Sequence, residues 1–215
     1  MTYSNPTKRK LKPWFKIFLA TLLTLLLATG GWTVYNVSRH WRISAKNIEV
    51  PPFIEQQYLS SLSSRNGKSL KQVRGVVVHY VGNPGTTAEQ NRGYFNKMTT
   101  TVNSHFIVGL EGEILQCVPL WEQSCASNDR NGDTISIETC HPDESGQFND
   151  STYKSLVRLT AWLCSEFDLS AEDVIRHYDV TGKQCPKYYV ENPKAWENFK
   201  SDVQKGIEEN IWKSS

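Results

Sequence analysis

The stretch VRGVVVHYV, residues 73–81, is the one on which the fold turns. Its run of β-branched residues has no polar alternation, the pattern of a strand buried on both faces of a sheet. GNPG at 82–85 ends it with turn-forming residues. Thr87 and Gln90 then stand three apart, the spacing of a capping box, which predicts a helix running to about Met98. SHFIVG (104–109) and EILQCVP (113–119) flank a Gly-containing turn and read as a β-hairpin. In TISIETC (134–140), Ile135 and Ile137 alternate with Ser136 and Glu138, so one face of that strand is polar. Asp150-Ser151 is a cap for a helix whose apolar positions are Tyr153, Leu156, Val157, Leu163, Cys164 and Phe167. A short strand follows at Val174–His177, and Trp196, Phe199, Val203 and Ile207 mark a last helix. Interleaved strands and helices with one antiparallel hairpin predict an α/β fold, a mixed central β-sheet with helices packed on it.

The first 50 residues are of another kind. Lys8, Arg9, Lys10, Lys12 and Lys16 precede IFLATLLTLLLATGGWTV (17–34), which carries no charge. That run is just long enough for a spanning helix, and a basic flank keeps the N-terminus in the cytoplasm while the rest is exported. The alternative is a cleavable signal peptide cut near Ala28-Thr29-Gly30. Both readings export the remainder. The expected divisions are a basic segment at 1–16, an anchor or signal at 17–36, a stalk at 37–67 with Pro51-Pro52 and a Ser-rich run, and one domain at 68–215. Residues 1–50 hold eight Lys/Arg and one Glu, leaving 16 basic and 21 acidic residues, so the exported part is near −5 although the chain is +2. A nucleic-acid binder needs a basic footprint, and none is expected here. Five cysteines, an odd number, leave one thiol for work other than pairing.

His79 closes the buried strand beside a Gly/Pro loop, where open α/β sheets place their sites. His177 and Cys185 flank a loop containing Asp179, Gly182 and Pro186. Two imidazoles and a thiolate are good Zn²⁺ ligands, and three of them leave a fourth position for water, whose pKa falls to about 7 on the metal. No HExxH is present, which argues against a metallopeptidase of that kind.

VVVHYVGNPGTTAEQNRGYF, SHFIVGLEGEILQCVP, DTISIETCHP and VIRHYDVTGKQCPKYY, in that order, resemble the type-2 N-acetylmuramoyl-L-alanine amidases, a family that includes phage lysis amidases and peptidoglycan recognition proteins. The likeness spans roughly Val73 to Val203 and is nearest to members from Gram-positive bacteria and their phages. It implies His79, His177 and Cys185 as zinc ligands, Glu138 as general base and Lys183 as the cation that steadies the oxyanion. It also implies peptidoglycan as partner and hydrolysis of the bond between N-acetylmuramic acid and L-alanine. Ser104 stands where some members carry a catalytic Tyr, which leaves the proton traffic to Glu138, with Tyr80 a lesser substitute. Asn83 and His105 are candidates for binding substrate, with a buried structural role the equal alternative for His105, and Asp179 either holds an imidazole by its second nitrogen or shapes a turn. Cys117 with Cys125, and Cys140 with Cys164, are open as pairs or as core thiols. A monomer is expected, held at the membrane outside the cytoplasm or secreted. The competing function is a peptidoglycan receptor without catalysis on the same fold.

Overall fold

A computed structural model describes residues 48–213 together with Ala45 and, further upstream, residues 21, 22, 24–27, 29 and 30. The chain divides between residues 42 and 43 into two units. The described part of the first is helical, and its Leu22, Leu25, Leu26 and Leu27 are exposed. Most of the expected anchor at 17–36 lies outside the described residues; among those described, no helix is long and apolar enough to cross a membrane.

The second unit is built on a six-stranded sheet. Its strands are β1 (Glu55–Gln56), β2 (Val76–Val78), β3 (Phe106–Val108), β4 (Ile114–Gln116), β5 (Ile135–Thr139) and β6 (Val174–Arg176), in the spatial order β1-β4-β3-β5-β2-β6. All neighbours are parallel except the β3–β4 hairpin. The helices are α1 (Ala88–Phe95), α2 (Asp150–Glu166), α3 (His177–Thr181), α4 (Lys187–Glu191) and α5 (Pro193–Glu209). Sheet and helices match the mixed α/β architecture expected.

Both faces of the sheet are covered, which is why Val76, Val77 and Val78 are all fully buried. Val76, Val78, Ile135 and Ile137 join Leu156, Trp162, Phe199 and Val203 of α2 and α5 in the larger core. Trp162 meets Phe106 edge-on at 6.3 Å. On the opposite face, Ile107 and Leu115 pack with Leu59 and with Ala88 and Phe95 of α1.

Local chemistry sets the helix ends. The capping box at Thr87 is formed: the Gln90 N–H donates to Thr87 Oγ1, and the Thr87 N–H to Gln90 Oε1. α1 stops at Phe95, short of Met98, with Asn96 as its C-cap. Asn149, not Asp150, caps α2, its Oδ1 accepting from the Thr152 N–H at 2.9 Å. His177 opens α3 instead of ending a strand.

The domain starts earlier than the expected boundary at 68. Ile54 and Leu59 are buried, and β1 adds a strand beside β4. Arg158 of α2 lies over the Phe53 ring at 4.0 Å. The segment read as a juxtamembrane stalk and the approach to the domain is, from 48 onward, docked on it through Phe53, Ile54 and Leu59.

Candidate active site

Strand register assembles the site. In the parallel pairs, Val78 sits level with Ile137 of β5 on one side and with Arg176 of β6 on the other. One residue further on, His79, Glu138 and His177 therefore come level at the C-terminal ends of three adjacent strands, the edge where open α/β sheets place ligands. The His79 N–H donates to Ile137 O at 2.8 Å, which carries the pairing one step past β2. The two imidazoles face each other with ring centroids 4.5 Å apart.

Cys185 arrives from the loop after α3. Gly182 ends that helix in the left-handed region, φ 77°, where a side chain would be strained. The Tyr178 N–H then donates to Cys185 O at 2.9 Å, folding the loop back on the helix. The ligand atoms of His79, His177 and Cys185 all lie within 4.8 Å of one another, and all three residues are buried. Among the described residues this is the one cluster of His, Cys, Asp and Glu that could hold a metal ion. The fit has a second mark: His177 Nδ1 is buried with no hydrogen-bond partner. Two imidazole nitrogens and a sulfur gathered at that spacing are a donor set that would suit Zn²⁺.

The cluster lines a groove of about 620 Å³, together with Tyr94, Val102 and Lys183. Asn83 and Tyr80 line it too. Burial holds His79 far below the ordinary imidazole range, helped by His177 and Lys183. Burial lowers His177 as well, with Lys183 adding to it. Both rings are thus neutral at pH 7 and can offer lone pairs. Burial pushes the Cys185 thiol up to about 12, with Glu138 adding to it, while the Tyr80 N–H and Lys183 pull it back. Burial also raises Glu138 to about 8, opposed by Lys183. Its Oε2 is shielded from solvent and has no partner.

A family model described as N-acetylmuramoyl-L-alanine amidase matches residues 69–188. The chain belongs to that family. It is 29% identical over 162 residues to the N-acetylmuramoyl-L-alanine amidase BlyA of Bacillus subtilis, a match covering 66% of this chain and 44% of the relative. It is 29% identical over 157 residues to the amidase CwlL of Bacillus licheniformis, covering 65% and 43%. The chain thus spans less than half the length of these curated relatives. Among solved structures, a mutant endolysin from Bacillus subtilis superposes with a TM-score of 0.61 at 28% identity, covering 70% of this chain and 97% of the endolysin.

Against that family pattern, the structure brings His79, His177, Cys185, Glu138, Lys183 and Asn83 to one groove. His105 is not among them. It is fully buried, its Nε2 bonded to Glu122 O at 2.8 Å and its Nδ1 beside Ser136 Oγ, so it cannot bind substrate as expected. Register explains this: Phe106 pairs with Ile137, which sets His105 beside Ser136, two residues below Glu138. Asp179 takes the turn-shaping role, accepting from the Arg176 N–H and guanidinium and bonding no imidazole. Ser104 turns away, its buried hydroxyl donating to Phe106 O. All five cysteines are unbridged, and burial pushes Cys117, Cys140 and Cys164 up to about 12 as core thiols. The imidazoles rest instead on Ser127 and Asn128, in a loop no motif marks.

Proposed function

We propose that this domain is a zinc amidase that hydrolyses the bond between the lactyl group of N-acetylmuramic acid and L-alanine in peptidoglycan. The observation that carries the reading is the convergence of His79, His177 and Cys185 beneath a groove that also presents Glu138 and Lys183. Family membership and the amidase names of the matched relatives support it.

The three side chains would hold Zn²⁺, which supplies Lewis acidity toward the scissile carbonyl and toward water. The chain's own residues do the rest. Glu138 takes the proton from the attacking water and hands it to the leaving amine of L-alanine. Lys183, the near cation, stabilises charge developing on the carbonyl oxygen. Tyr94 and Val102 supply apolar wall for the substrate, and Asn83 a polar contact.

The location we propose is outside the cytoplasm, at the membrane. The basic flank at 8–16, the uncharged run at 17–34 and the exposed leucines of its described residues support that placement. Fractionation with full-length protein only in the medium would contradict it.

Muropeptide analysis tests the activity. Purified wall treated with the wild type should yield stem peptides with a new free L-alanine amine. Glu138→Ala should yield none while retaining zinc, and Cys185→Ala should lose both. Wall binding without amine release would instead identify a receptor.

A further inference from the structure

The second nitrogens of both imidazoles are held by adjacent residues of one loop. His79 Nε2 is hydrogen-bonded to Ser127 Oγ at 3.1 Å, and His177 Nε2 to Asn128 Oδ1 at 2.9 Å. We infer that Ser127 and Asn128 form a positioning clamp which sets the tilt of the two metal-binding rings and the tautomer of His177, with Asn131 locking the clamp in place. This rests on the reading of His79, His177 and Cys185 as a metal site.

An amide oxygen can only accept a hydrogen bond. A neutral His177 facing Asn128 Oδ1 therefore carries its proton on Nε2 and presents the Nδ1 lone pair. That Nδ1 is the buried ring atom with no partner. On His79, Nε2 meets the Ser127 hydroxyl, and Nδ1 is the ligand nitrogen when the ring donates Nε2–H to that oxygen. A partner on the distal nitrogen is the usual means by which proteins orient metal-binding imidazoles.

The loop is built to hold these two groups still. Ser127 is fully buried. Asn131 Oδ1 accepts from both the Ala126 and Ser127 N–H groups, at 3.0 and 2.7 Å. The Arg130 N–H donates to Ser127 O, and the Asn131 N–H to Asn128 O. Arg130 is itself fixed by Asp133, with Nε–Oδ1 2.7 Å, and its carbonyl accepts from Thr134 Oγ1. Within this frame Asn128 adopts φ 51°, the left-handed region that Asn enters more readily than most residues. Two consecutive residues reach two different rings because the backbone turns sharply between them.

The test is zinc affinity of the full-length protein, measured by competition with a chromophoric chelator in the absence of substrate. Asn128→Gly keeps the backbone conformation and removes the acceptor. Asn128→Asp keeps an acceptor. Ser127→Ala removes the other partner. Asn128→Gly and Ser127→Ala should each weaken zinc binding by about 10- to 100-fold, while Asn128→Asp stays within a few-fold of wild type. With Co²⁺ as probe, the glycine variant should show an altered visible absorption band and the aspartate variant the wild-type one. Wild-type affinity in both Asn128→Gly and Ser127→Ala would overturn the clamp and leave the metal site standing. So would an equal loss in Asn128→Gly and Asn128→Asp, because the side chain would then serve folding alone. A wild-type protein that takes up no zinc would overturn the proposed function, and the clamp with it.

Discussion

Glu138→Gln should abolish activity and at the same time stabilise the metal-free protein at alkaline pH. The carboxyl of Glu138 is raised from 4.5 to about 8, chiefly by burial, with Lys183 only partly offsetting that rise. A carboxyl whose folded pKa lies above its unfolded value binds its proton more tightly in the folded state. Its cost is absent below the unfolded pKa, grows as pH rises through the interval, and is complete above the folded pKa. Every tenfold gain in proton affinity corresponds to about 1.4 kcal/mol, so the full penalty has an upper limit of about 5 kcal/mol. Water entering the groove would reduce it, and about 2–4 kcal/mol is the expected gain for the amide at pH 9. At pH 5 most of the penalty has gone, and the two proteins should differ by less than about 1 kcal/mol. The lowered histidines also titrate, but they are common to both proteins and cancel in the difference. Urea unfolding of chelator-treated wild type and Glu138→Gln at pH 5 and pH 9 measures the effect. Equal stability at pH 9, or a difference independent of pH, would refute the claim that this carboxyl is held against its preference.

Other outcomes follow from the same structure. Lys183→Met should lower kcat by about 10²- to 10³-fold with zinc content unchanged; loss of zinc together with activity would show the lysine to be structural. His105→Gln should destabilise the fold by about 1–3 kcal/mol through unmet buried hydrogen bonds yet leave KM for wall fragments within about twofold, and a large rise in KM would return His105 to the groove. Trp162→Ala should cost about 3–5 kcal/mol in urea unfolding, because the indole is 1% exposed and packs on Phe106.

The buried central strand and both long helices are legible in the sequence because each announces itself by period: three consecutive valines, a capping box, apolar residues at helical spacing. The candidate metal cluster is legible for a related reason. His79 and His177 each follow a short apolar strand directly, and parallel neighbours in register bring such residues level. What the sequence leaves open or misplaces has a physical cause as well. His105 lies in a motif, but only the pairing of Phe106 with Ile137 shows that it falls below the groove. The segment from 48 to 67 has no period because it is held by scattered contacts, Ile54 and Leu59 into the cores and Phe53 under Arg158. Asp179 offers a carboxylate near the ligands, yet Arg176, three residues before it and side by side on one turn, captures it first. Ser127 and Asn128 sit in SNDRNG (127–132), which reads as an ordinary polar loop until the two rings are placed beside it.

Zinc K-edge X-ray absorption on the purified full-length protein reports the ligand set without reference to turnover. The expected spectrum has one sulfur at about 2.3 Å and two imidazole nitrogens with one further light atom at about 2.0 Å, and the sulfur shell should vanish in Cys185→Ser. Protein that carries no zinc, or zinc with no sulfur in its first shell, would contradict the claim that His79, His177 and Cys185 share one ion.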